Sequence, residues 1–197
     1  MARNGPHVTD SLRRSAADFL KQLATIDSST GRVQRYEELY DRCVKLAFAL
    51  RRSDLRNVSR IGLALKNSAR YLEAIYAIPW AGGTVVPVDI RTDVNELVEI
   101  FNDATIEILM LDEAFAASLL LLSASVGSLT RMIWVGEGEA PHGCDDYEQL
   151  ISTVSSPVGD TLSGGLDTFG LLYTHDTSGL FFSNFQLLLI MFCNQCI

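Results

Sequence analysis

Apolar positions along the chain recur at two different spacings, and the two alternate. From Tyr36 the apolar residues fall at helical intervals, Tyr36, Leu39, Tyr40, Cys43, Val44, Ala47 and Leu50, as one continuous stripe. Glu37, Glu38, Asp41, Arg42 and Lys45 lie largely off it. "RIGLAL" then alternates Ile61, Leu63 and Leu65 as a strand does. "NSARYLEAIYAIPW" predicts a helix with Asn67 or Ser68 as its N-cap, a stripe of Tyr71, Leu72, Ile75 and Ile78, and Pro79 near its end. The alternation continues with "GTVVPV" as strand and "DVNELVEIF" as helix, carrying Val94, Leu97, Val98 and Phe101. "IEILML" reads as a buried strand, "DEAFAASLLLL" as helix, "RMIWVG" as strand, "DDYEQLIS" as helix and "TFGLLYT" as strand. "GEGEAPHG" is loop-like, "SSPVGDTLSGG" is a linker of Ser, Gly and Pro, and no internal repeat is visible. Such a rhythm predicts an α/β fold with a mostly parallel sheet flanked by helices.

Composition narrows the function classes. The 197 residues are 48% hydrophobic and 20% charged, which is globular rather than disordered. A formal charge of -8 opposes binding to a phosphate backbone, so no nucleic-acid partner is expected. Cys43, Cys144, Cys193 and Cys196 lack the spacing of a disulfide framework, and Cys43 in a helical stripe reads as a buried thiol. "CNQC" has redox or metal spacing but no companion pair or His cluster. The N-terminus lacks the apolar run of a signal peptide, and Asp10 and Asp18 oppose a transit peptide, so the expected compartment is the cytoplasm.

In parallel sheets ligands gather where strands end and loops begin. After the strand Gly170–Thr174 comes the turn "HDTSG", whose hydroxyls and backbone N–H groups suit phosphate oxygens. Thr174, Thr177, Ser178 and Gly179 are the candidate cofactor-binding residues there, with Tyr173 holding the strand end. His175 beside Asp176 suggests a general base, but no nucleophile is placed near it, and a solvated loop residue is the better reading. His142 and His7 have no argued partners. "GGTVVPVD", Gly82 to Asp89, reads as packing: glycines for a tight turn, then Val85, Val86 and Val88 filling the sheet.

The order of these segments resembles the N-terminal part of the AMP-dependent synthetases and ligases, the adenylate-forming acyl-CoA synthetase superfamily. The resemblance rests on "TGRVQRYEELYDRCVKLAFALR", "NSARYLEAIYAIPWAGGTVVPVDIR", "ELVEIFNDATIEILMLDEAF" and "DDYEQLIS", the second being the most specific. It runs from Leu12 to Leu180 and implies an incomplete N-terminal part of the large acyl-adenylate-forming domain, about the first third of a family member. On that reading residues 1–10 are a flexible tail, 11–180 a partial AMP-binding domain, and 181–197 a divergent apolar tail outside it. The tail, "FFSNFQLLLIMFCNQCI", looks like translation through an intron or in a shifted frame.

"YTHDTSGL" stands where the resemblance places the family's phosphate loop, "YTSGTTGLPKG". Tyr173, Thr174, Thr177, Gly179 and Leu180 match and Ser178 is conservative, but His175 and Asp176 replace Ser-Gly, and Phe181, Phe182 and Ser183 replace Pro-Lys-Gly. Asp176 brings a negative charge: at about 4 Å from a phosphate it costs roughly 4 kcal/mol at an effective dielectric near 20. The missing lysine removes a cation. The resemblance implies activation of a carboxylic acid, a fatty acid in particular, with ATP, Mg and coenzyme A. The acyl-adenylate forms first and the CoA thioester second. The family's adenine, Mg and ribose motifs and its catalytic lysine lie beyond the matched region, so no catalytic or metal residue is assigned, and the chain is expected to be inactive by itself. Two other readings stay open: a non-catalytic α/β stub that self-associates through uncovered sheet edges, and a membrane protein anchored by its apolar tail.

Overall fold

The computed structural model describes residues 7–27, 31–51, 59–155, 159–161 and 168–173. Helix α1 (Asp10–Asp18) leads into a two-stranded antiparallel hairpin, β1 (Leu23–Ile26) and β2 (Val33–Arg35). Helix α2 (Tyr36–Arg51) follows, then β3 (Arg60–Ala64), α3 (Ala69–Ala81), β4 (Thr84–Pro87) and α4 (Val94–Asp103). Next come β5 (Ile108–Leu111), a 3-10 helix (Glu113–Ser118), α5 (Leu119–Ser125), β6 (Arg131–Trp134), β7 (Cys144–Asp146) and α6 (Tyr147–Ser152). The main sheet has the order β4-β3-β5-β6-β7, every pair parallel. The expected α/β architecture is what the structure has.

Side-chain parity distributes the core between two faces. Ile61, Leu63, Ile108, Met110 and Ile133 join the cluster beneath α2, α3 and α6. Ala64, Leu109, Leu111 and Trp134 join the cluster beneath α4 and α5. Gly62 lies on the α4 face: a Cβ there would meet Ile106 at 2.9 Å, Leu109 at 3.0 Å and Phe101 at 3.1 Å. Both faces are buried, which is why β3 beyond its first residue, Arg60, and the whole of β5 hold no polar side chain.

Several elements differ from the expectation. α3 buries Glu73, Ala74, Ala77, Ile78, Trp80 and Ala81, while Tyr71, Leu72 and Ile75 are half-buried. The alanines let α3 sit close against α2 and the sheet, so the larger apolar residues flank the contact. Ser68, not Asn67, is the N-cap, its Oγ accepting from Tyr71 N–H at 3.2 Å. "DEAFAASLLLL" opens as a 3-10 turn before it becomes helical. Asp145 and Asp146 belong to the edge strand β7 rather than to a helix, and Asp146 caps α6 through Gln149 N–H at 2.6 Å. α1 and the hairpin had no counterpart in the sequence reading. Thr9, inside the stretch expected as a tail, is buried and bonds Asp160. The turn after α3 is as expected: Gly82 has φ +91°, and a Cβ on Gly83 would press Ile78 at 3.1 Å and Ser59 O at 3.2 Å. Val85 and Val86 are buried and Val88 half-buried.

Candidate functional site

All strands of the main sheet point the same way, so their carboxyl ends share one edge. The strand order reverses between β3 and β5, the place where open parallel sheets leave a ligand crevice. Here that place is occupied from within. The Asp112 carboxylate accepts Lys66 N–H at 2.6 Å and Ala114 N–H at 3.0 Å, tying the end of β3 to the start of the 3-10 helix. Asp112 is buried, and each of its two carboxyl oxygens is taken by one of these backbone donors.

The segment leading to the expected phosphate loop adds to the opposite flank, beside β4. Val85 N–H donates to Phe169 O at 3.0 Å and Leu171 N–H donates to Val85 O at 2.8 Å, making a parallel bridge at Gly170. A Cβ on Gly170 would lie 3.1 Å from Val85 O, so glycine permits the approach. Among the described residues the pairing goes no further. The Tyr173 hydroxyl donates to Asp103 Oδ2 at 2.6 Å. Because α4 runs antiparallel to the strands it joins, Asp103 stands at the edge where strands begin. Tyr173 therefore points away from the carboxyl edge at which the sequence reading put it. Burial, then the hydrogen bond and charge of Asp103, raise its phenol above the ordinary value. Thr174, Thr177, Ser178 and Gly179, with His175, Asp176, "CNQC" and residues 181–197, lie outside the described residues.

A second constellation escaped the sequence reading. Glu73 on α3, 1% exposed, collects Gln34 Nε2 from β2 at 2.7 Å, Arg42 Nε from α2 at 2.7 Å and the Tyr147 hydroxyl from α6. Arg42 turns its other two nitrogens to Glu148, a two-pronged pairing with both bonds at 2.9 Å. Arg70 reaches the same carboxylate at 3.0 Å and also bonds Val135 O at 2.8 Å and Glu137 at 3.0 Å. Both guanidinium groups lie over the Tyr147 ring, at 5.7 Å and 6.0 Å from its centre. Burial disfavours the Arg42 cation, but Glu148 and Glu73 outweigh that and hold its proton more firmly than usual. Burial alone would raise the Glu148 carboxyl; Arg42 and then Arg70 reverse the sign and lower it. Gln34, Arg42, Arg70 and Tyr147 all donate to acceptors of the chain itself, so the network holds the fold together. No single residue announced it, since its partners are 31 to 106 positions apart.

Among the described residues no three His, Cys, Asp or Glu side chains come together as a metal site, and no helix is long and apolar enough to cross a membrane. Cys43 is fully buried as expected, its thiol 3.6 Å from Glu73 O, and burial, then Glu73, push its pKa up. His142 is exposed.

Comparison with known proteins places this geometry. A family model described as AMP-binding enzyme matches residues 12–174. A long-chain-fatty-acid–CoA ligase of Thermus thermophilus is 27% identical over 173 residues, covering 87% of this chain and 31% of the relative. A 4-hydroxybutyrate–CoA ligase of Metallosphaera sedula is 29% identical, covering 74% of the chain and 28% of the relative. The crystal structure of ATP-bound MatB from Rhodopseudomonas palustris superposes with a TM-score of 0.74 at 23% identity, over 91% of this chain and 34% of that one. The chain thus spans about a third of the length of the curated relatives it matches.

Proposed function

Because the chain belongs to the AMP-binding enzyme family, we propose that it carries the opening part of a domain that activates a carboxylic acid, a fatty acid in the first instance, with ATP and coenzyme A. The substrate class is supported by the long-chain-fatty-acid ligase among the relatives; the cytosol is the proposed compartment. In the complete reaction the acid attacks the α phosphorus of ATP, releasing pyrophosphate, and the CoA thiol then displaces AMP. Thr174, Thr177, Ser178 and Gly179 are proposed to contact phosphate, so the work of this part is positioning. The described residues supply no carboxylate cluster that fits a Mg ion, and no step is assigned to one.

We further propose that this chain is inactive by itself. The observation that carries this reading is the Tyr173–Asp103 bond, which draws the lead-in of the loop toward the amino edge of the sheet. Asp176 and the absence of a lysine at Phe182 act in the same direction. ATP–pyrophosphate exchange with a panel of fatty acids, alongside calorimetric titration with Mg-ATP, tests it. No exchange is expected, and a Kd weaker than about 1 mM. Exchange above background with any acid ends the inactive reading.

A further inference from the structure

α5 differs from the other α-helices in its charge. α1, α2, α3, α4 and α6 each carry charged side chains. Residues 114–130, which include all of α5, hold no Asp, Glu, Lys or Arg. α5 buries Leu122, and Leu119 packs half-buried on the same cluster. Leu120 is 85% exposed and Leu121 42%, and Ala116, Ala117, Ser123 and Ala124 around them are exposed as well. A surface helix normally turns charge toward water. An uncharged outward face that carries two leucines suits apolar cover instead.

The same chain contains a segment of matching chemistry. Residues 181–197 hold no charged side chain either, in a sequence that is 20% charged. Their densest apolar run, residues 187–193, lies between Gln186 and Asn194 and is shorter than the roughly 20 residues that a bilayer crossing takes. The described chain also departs toward that segment from beside α5. Leu171 and Tyr173 pack on the same cluster as Leu119 and Leu122, and Tyr173 bonds Asp103 at 2.6 Å. Asn102, next to Asp103, donates to Ser125 O at 2.9 Å and accepts Gly127 N–H at 3.0 Å, at the C-terminal end of α5. From Tyr173, α5 is about one helix spacing away, about 8–10 Å, and its seven residues run for about 10 Å. Residues 174–180 reach about 23 Å when extended, enough to carry the segment behind them over Leu120 and Leu121. α4 turns Asn95, Glu99 and Asn102 outward, and the hairpin lies with α2 and α3 on the opposite face of the sheet. We propose that residues 181–197 of this chain dock on the exposed face of α5, driven by the removal of both apolar surfaces from water.

Photo-crosslinking in the full chain tests this, with p-benzoylphenylalanine in place of the exposed Ala117 and the joined peptides identified by mass spectrometry. Unlabelled and nitrogen-15-labelled protein are mixed, so that a contact within one chain is told from one between copies. Crosslinks to residues 181–197 of the same chain are expected, with a yield that does not change on dilution. Leu120→Glu with Leu121→Glu, and separately Leu188→Glu with Ile190→Glu, each lower that yield roughly tenfold. Should the α5 pair alter the far-ultraviolet circular dichroism, the pair at 188 and 190 decides. Crosslinks that join labelled to unlabelled chains overturn the proposal, because a second copy then covers α5. Absence of any crosslink to residues 181–197 overturns it too, as does a yield that both double variants retain in full.

Discussion

Glu73 shows how much one side chain can organise. Its two oxygens receive donors from β2, α2 and α6, and almost none of it touches water. Glu73→Ala leaves Arg42 buried without half of its pairing and the Tyr147 hydroxyl without its acceptor. A loss of about 3–5 kcal/mol is expected from urea unfolding. Glu73→Gln keeps an acceptor oxygen and should lose less. Gly62 makes the opposite kind of point. Alanine usually suits a strand better than glycine, but three side chains within 3.1 Å of the new Cβ leave it no room. Overpacking should win, and Gly62→Ala should lower stability by about 1–3 kcal/mol in the same measurement. Neither residue stood out in the sequence.

The central strand–helix alternation was legible, and the elements at its ends were not. α2, α4, β4, β5 and β6 fall where their patterns put them. β7 did not, because "CDD" has no apolar alternation and pairs only since β6 offers it a free edge. The last strand was read as running to Thr174; among the described residues it pairs with the sheet around Gly170, and the Tyr173 side chain bonds Asp103. Local signals at helix ends worked better, because a cap is a short-range hydrogen bond. Ser68→Ala removes the acceptor for Tyr71 N–H. It should cost about 1 kcal/mol, seen as a lower Tm.

The whole molecule should be squeezed at both ends of the pH scale. Glu148, lowered by Arg42 and Arg70, keeps its charge in the folded state below the pH at which the unfolded chain takes up a proton. The unfolded chain binds more protons there, so stability is full above about pH 4.5 and falls as the pH drops through the folded value. Glu148→Gln should flatten that acid limb in urea midpoints measured against pH. Tyr147 is pushed up by burial and then by Glu73. The folded state keeps its proton while the unfolded chain loses it, so stability should fall as the pH rises above about 10, and Tyr147→Phe should remove part of that alkaline loss. The sequence by itself determined the α/β alternation, the parallel sheet and the family, because those rest on periodicities and motifs within short reach. Only the tertiary structure decided where the buried charges meet, which strand edge takes β7, which way Tyr173 turns and which leucines of α5 are left to solvent. Each of those depends on the packing of residues far apart in the chain, whose contact energies no local pattern encodes.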